Sequence, residues 1–296
     1  MFIVIQPKSW DDMRRLVSIL PGRWVFRGQS NSEWGLSSSL ERALDPLIHD
    51  DNKKINDRQQ MIRAKEAMLL REFKRRAHHY LPSPPMKSDS LEWLALIQHY
   101  GGATRLVDFS HSFYVAAFFA VEENKREYES SAIWAISLTN IDKIIYQKVD
   151  NQYQHWINNK NNTEYINLSH DLINNGTQNS FVFGVEPERM NERLAIQQGL
   201  FLFPGNVGTT FEENLAGIFD SKADVFRNTA AITYNPDTNE KTIMYVLFEV
   251  MVLKIIVPRY LREEMLRDLW KMNVSSATLF PGIDGFTHSL NYHLIE

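Results

Sequence analysis

The chain has 296 residues, 44% of them apolar, 12% aromatic and 23% charged, a balance that buries one or two sizeable cores and excludes long disorder. Its 32 Lys and Arg against 36 Asp and Glu leave a net charge of −4, which excludes a broad basic face gripping nucleic-acid phosphate while leaving room for a small basic cleft. Cysteine is absent, so disulfides, thiol nucleophiles and thiolate zinc sites are excluded together, in keeping with a reducing cytosol.

The run Met1 to Pro7 is too short for a signal peptide, and the longest apolar stretch, Ile243 to Val257, is broken by Glu249 and Lys254; the expectation is a soluble cytoplasmic protein with no membrane contact. Ile3 to Ile5 predicts a short strand. Ser9 followed by Trp10-Asp11-Asp12 caps a helix that Pro21-Gly22 ends. Trp24 to Gln29 predicts a strand with Val25 and Arg27 on one face and Trp24, Phe26 and Gly28 on the other. From Asp50 to Ala77 the chain is charged and free of Gly and Pro, and Ile62, Ala64, Met68, Leu69 and Phe73 predict one buried stripe of a long surface helix. Pro82 to Pro85 separates it from a helix over Leu91 to Gln98, which Gly101-Gly102 terminates.

Ala103 to Asp108 then predicts a buried strand, Val115 to Glu122 an alanine-bearing helix and Ala132 to Ser137 another strand. The Asn- and Gln-rich stretch from Tyr146 to Gly176 predicts an insertion or lid. Further strands are expected over Phe181 to Val185, Leu200 to Phe203 and Thr242 to Ile256, with a helix over Leu261 to Lys271 and a turn over Phe280 to Gly285. No repeat and no regular alternation appears, which favours α+β over a doubly wound sheet. The chain reads as one domain over residues 1–296.

Motifs narrow the chemistry. No phosphate loop, dinucleotide-binding glycine pattern or nucleophile elbow is present. His78 and His79 are adjacent rather than four apart, so no metal is expected. Four ordered segments remain: Phe26-Arg27-Gly28-Gln29 with Trp34, Leu36, Leu40 and Arg42; Gln98-His99-Tyr100-Gly101 with Thr104-Arg105-Leu106-Val107-Asp108 and Phe118 to Val121; Arg193 to Phe201; and Leu279 to Gly285. Together they resemble the FRG-domain family of bacterial proteins. The layout is in turn similar to ADP-ribosyltransferases, which implies a split mixed or antiparallel sheet flanked by helices.

That resemblance implies NAD as substrate and a catalytic set of Arg27, His99, Asp108, Ser110 and Gln197, with Arg27, Gly28, Gln29, Gln98, Thr104 and Arg105 holding the dinucleotide. A strand-borne guanidinium suits a pyrophosphate, and Ser110 or Asp108 fills the second-strand role. Gln197 stands where a glutamate is expected, with Gln198, Glu186 and Glu188 as alternatives. The implied setting is a toxin or anti-phage effector with a protein or nucleic-acid acceptor and an antitoxin or defence partner. A non-catalytic nucleotide, nucleic-acid or protein sensor is the rival reading. Bland roles stand beside these: Arg105 and Asp108 as a structural ion pair, His99 as a hydrogen-bonded core histidine capping the Gly101 turn, and Trp34, Phe118, Phe119 and Phe201 as core.

Overall fold

A computed structural model describes residues 1–45, 55–123, 128–148 and 170–294. Among these residues eight strands form one mixed sheet in the order β5-β6-β3-β2-β4-β8-β1-β7. They are β1 (Phe2–Pro7), β2 (Trp24–Gln29), β3 (Val107–Ser110), β4 (Ser130–Ser137), β5 (Val182–Val185), β6 (Gly199–Pro204), β7 (Ala231–Tyr234) and β8 (Val252–Pro258). Only β1 pairs in parallel, with β7 and β8; the other pairings are antiparallel.

The alternation of β2 and β4 sorts side chains into two cores. Val25, Trp134 and Ile136 enter one, and Trp24, Phe26, Ile133 and Ala135 enter the other. A sheet covered on both faces needs apolar residues at successive positions, which is why β4 reads as an almost continuous apolar run. On the first face lie α3 (Ile55–Ala77), α4 (Ser90–His99) and α8 (Phe211–Gly217); on the second lie α1 (Trp10–Ser18), α5 (Phe113–Val121), α9 (Pro236–Leu247) and α10 (Arg262–Lys271). The remaining helices used below are α2 (Ser39–Ala43), α6 (Leu138–Lys148), α7 (Glu192–Ile196), α11 (Ser276–Leu279) and α12 (Ile283–Ser289). The fold class is therefore α+β, as the unalternating pattern predicts.

Four local expectations are corrected. Thr242 to Ile256 is not one strand: Asn235 caps α9 through a bond from the Asp237 N–H, Pro236 opens the helix, and the strand begins only at Val252. Branched Thr242, Ile243 and Val246 mislead here, because burial of Ile243 and Leu247 outweighs their weak helix propensity. Ala103 to Leu106 is not strand either, since the Thr104 backbone bonds to α2 instead. The buried face of α3 is Gln59, Ile62, Glu66 and Ala77, with Leu70 packed beside it, while Met68 and Leu69 are exposed. Polar groups occupy that stripe because each finds a partner: Gln59 donates to the Thr177 carbonyl and Glu66 pairs with Arg105. Phe280 to Gly285 joins α11 to α12 with Gly282 at φ 122°, so only its first half is a turn. Residues 50–54 of the expected long helix and 149–169 of the expected lid lie outside the described residues.

Candidate functional site

The sheet is joined at one weak seam. β2 pairs with β4 along its full length, from Trp24–Ser137 to Gln29–Ala132, but with β3 at Phe26–Ser110 alone. Beyond that bridge the two strands diverge, and Arg27, Gly28 and Gln29 leave their β3-facing edge unpaired. A cavity of about 870 Å³ opens at the divergence. Its walls come from both faces of the sheet: Ala95, Gln98 and His99 of α4, and Val115, Ala116, Phe119 and Glu122 along α5 and its carboxy cap. The split expected of this sheet is thus a divergence across which one residue pair still bonds.

Arg27 bridges the opening. Its Nη1 donates to the Asp108 carbonyl at 2.7 Å and lies 3.8 Å from that residue's carboxylate. Burial lowers its pKa, Asp108 opposes the change and Arg42 adds to it; a guanidinium nonetheless stays protonated in proteins. Arg193, from α7, also lines the cavity, and its guanidinium stacks 4.4 Å above the Phe280 ring. Burial lowers its pKa too, against Asp108 and Glu122. His99 is lowered by burial and by Arg193, so its imidazole is neutral at pH 7 and can accept a proton. Among the described residues it makes no hydrogen bond, which sets aside a role in capping the Gly101 turn.

The other expected residues divide into lining and bracing groups. Gly28 lines the cavity, yet its missing side chain serves packing: a Cβ there would stand 2.0 Å from the Ala116 carbonyl oxygen and 2.5 Å from the Ala120 nitrogen. Gln29 is held at both ends of its amide, donating to the Gly35 carbonyl and accepting from the Trp134 indole. Ser110 donates to the Gln197 carbonyl at 2.7 Å and accepts from the Ser112 N–H, while the Gln197 amide donates to the Leu279 carbonyl. Gln98 lines the cavity and accepts the Thr104 hydroxyl proton.

Thr104 and Arg105 do not line it. Thr104 is fully buried between α2 and α4, and Arg105 is sealed in a bidentate pair with Glu66. The partner of Arg105 is therefore Glu66, not Asp108; the intervening chain turns the two side chains of the TRLVD segment to different neighbours. Glu186 and Glu188 are also outside the lining, Glu186 being engaged by His111 at 2.9 Å. Phe118 and Phe201 are core, but Trp34 is 42% exposed at the cavity wall, 5.5 Å from the Tyr128 ring. Sequence reading assigned no role to Glu122 and Glu123, which line the cavity where α5 ends. Two adjacent acids at the negative end of a helix were the available signal. No group of three or more His, Asp or Glu among the described residues is placed to hold a metal ion.

Fold and cavity together define an α+β protein with a guanidinium-lined cleft where its sheet diverges. Residues 22–129 match the FRG domain, so the chain carries a stretch similar to that domain. Arg27, His99, Asp108 and Glu122 fall inside the matched stretch; Arg193 and Gln197 reach the cavity from beyond it. No curated protein and no solved structure matches the chain. No helix among the described residues is long and apolar enough to cross a membrane.

Proposed function

We propose that the cavity binds NAD as substrate and that the protein cleaves it, passing ADP-ribose to a protein, a nucleic acid or water. One observation carries the reading: two guanidinium groups from remote segments, Arg27 and Arg193, converge on a cavity of about 870 Å³, within the range of small-molecule sites. Planar, permanently charged donors suit a pyrophosphate bidentately. Asp108 interacts favourably with both charges and eases their mutual repulsion, and neutral His99 can accept a ribose hydroxyl proton. The exposed indole of Trp34 offers a face to a base. The biological setting in this reading is an effector, a toxin or an arm of anti-phage defence, with an acceptor and a restraining partner.

A sensor that binds without turnover is favoured by a separate observation: the Ser110 proton is committed to the Gln197 carbonyl, so that hydroxyl is not free to donate to a ribose, and the Gln197 side chain is tied to the Leu279 carbonyl. One assay separates the two. Purified protein is given NAD labelled in both halves, with and without cell extract. Nicotinamide release and labelled acceptors support the enzyme; binding with no release supports the sensor. Arg27→Ala and Arg193→Ala should each weaken NAD binding about 10- to 100-fold, the worth of one charged hydrogen bond. Folded variants that bind as the wild type does would overturn the assignment of this cavity.

A further inference from the structure

Among the described residues, four carboxylates line the cavity. Glu33, Asp108 and Glu123 are exposed, and Glu122 alone is half-buried. It follows the last residue of α5 as that helix's carboxy cap, and no basic residue stands in the final turn to offset its charge. A carboxylate at the negative end of a helix is locally unfavourable, and a departure from a local rule without a local gain marks a residue kept for another purpose. The helix face it belongs to runs through Val115, Phe119 and Glu122, all of which line the cavity.

The group is held in place from outside α5. The Ser276 hydroxyl, at the start of α11, donates to Glu122 Oε1 at 2.7 Å, and Arg262 donates to the Glu122 backbone carbonyl. Among the described residues, Oε2 has no hydrogen-bond partner. Burial raises the carboxyl pKa; the Ser276 hydroxyl, His288 and Arg193 lower it, and Glu123 raises it. One oxygen anchored and one left over is the geometry of a positioned base rather than of a structural brace.

We propose that Glu122 is the catalytic carboxylate of this cavity, taking the proton of the nucleophile that attacks the ribose, with Ser276 as its positioning residue. The inference rests on the NAD-cleaving reading above. In the step, the bond between ribose C1′ and the nicotinamide nitrogen breaks and its electron pair leaves with nicotinamide. A water or acceptor oxygen forms the new bond to C1′, and its proton passes to Glu122 and then to solvent. With water the products are nicotinamide, ADP-ribose and one proton. The negative charge of Glu122 also favours the cationic ribose centre as it develops, a part no glutamine can take. This supplies the acid that the Gln197 segment lacks.

The test measures NAD affinity by calorimetry and nicotinamide release across pH 5 to 9 for wild type, Glu122→Gln and Ser276→Ala. Glu122→Gln keeps the acceptor for Ser276, so NAD affinity should stay within about threefold while kcat falls at least 100-fold, the usual scale of general-base loss. Ser276→Ala removes a bond that lowers the carboxyl pKa, so the acid limb of its kcat profile should move to higher pH; a merely structural role would lower the rate equally at every pH. A wild type that turns over beside an equally fast Glu122→Gln overturns this inference alone. A wild type that binds NAD but releases no nicotinamide overturns the underlying reading and this inference with it. Should Glu122→Gln fail to fold, the Ser276→Ala profile decides: a shifted limb supports the assignment, and an unshifted one refutes it.

Discussion

Glu41 offers a prediction whose size follows from its surroundings. Its carboxylate lies in α2, on the segment that carries cavity residues Trp34, Ser37 and Arg42, and accepts the Phe211 N–H at 3.1 Å. Burial, with Glu212 and Glu213 nearby, pushes its pKa from 4.5 to about 7. Because the folded state holds this proton more tightly than the unfolded chain, stability is full below pH 4.5, falls as pH rises from 4.5 to about 7, and stays at the lower level above. At about 1.4 kcal/mol for each pH unit, the difference amounts to about 2–3 kcal/mol once partial exposure is allowed for. Glu41→Gln keeps an oxygen for the Phe211 N–H and loses the charge. It should match the wild type at pH 4 and exceed it by about 2–3 kcal/mol at pH 8, or about 5 °C in Tm for a chain of this size. Thermal unfolding followed by circular dichroism at half-unit pH steps measures this. Curves that run parallel, with a constant offset from pH 4 to pH 8, would refute the reasoning.

Two further outcomes test how the cleft is braced. Glu66→Gln leaves Arg105 buried with its charge uncompensated and Arg63 close by, so denaturant unfolding should show a loss of about 3–5 kcal/mol, most of it recovered in the double variant Glu66→Leu with Arg105→Leu. Gly28→Ala puts a carbon where the α5 backbone already stands; the helix must back away from β2, and soluble yield and Tm should both drop, whereas Gly101→Ala, which meets nothing within 4 Å, should cost only the strain of its φ of 82°.

Local signals carried much of this protein. The Ser9 cap with its acids, the alternation of Trp24 to Gln29 and the apolar run of β4 each express a preference of neighbouring residues, so they read correctly from the chain alone. The order of the FRGQ and QHYG segments was enough to point to the FRG domain that residues 22–129 match, and Arg27, Gln98, His99 and Asp108 do share one cavity. What the chain could not disclose is what pairs with what. Gln59 and Glu66 look like a solvent face of α3 until Arg105 and Thr177 arrive from distant segments to satisfy them; apolar periodicity cannot register a buried stripe that is polar. Arg105 and Asp108, three residues apart, take separate partners because the strand begins between them at Val107. Glu122, Arg193 and Ser276 belong to three segments, and only the meeting of the α5 terminus with α7 and α11 makes them neighbours. Most of the secondary structure was settled by contacts of short range, which a sequence spells out, the exceptions being α9 and the Thr104 segment, where burial and distant partners decided; the cleft was settled by a divergence between two strands and by charges brought together over long loops, which depend on the packed sheet.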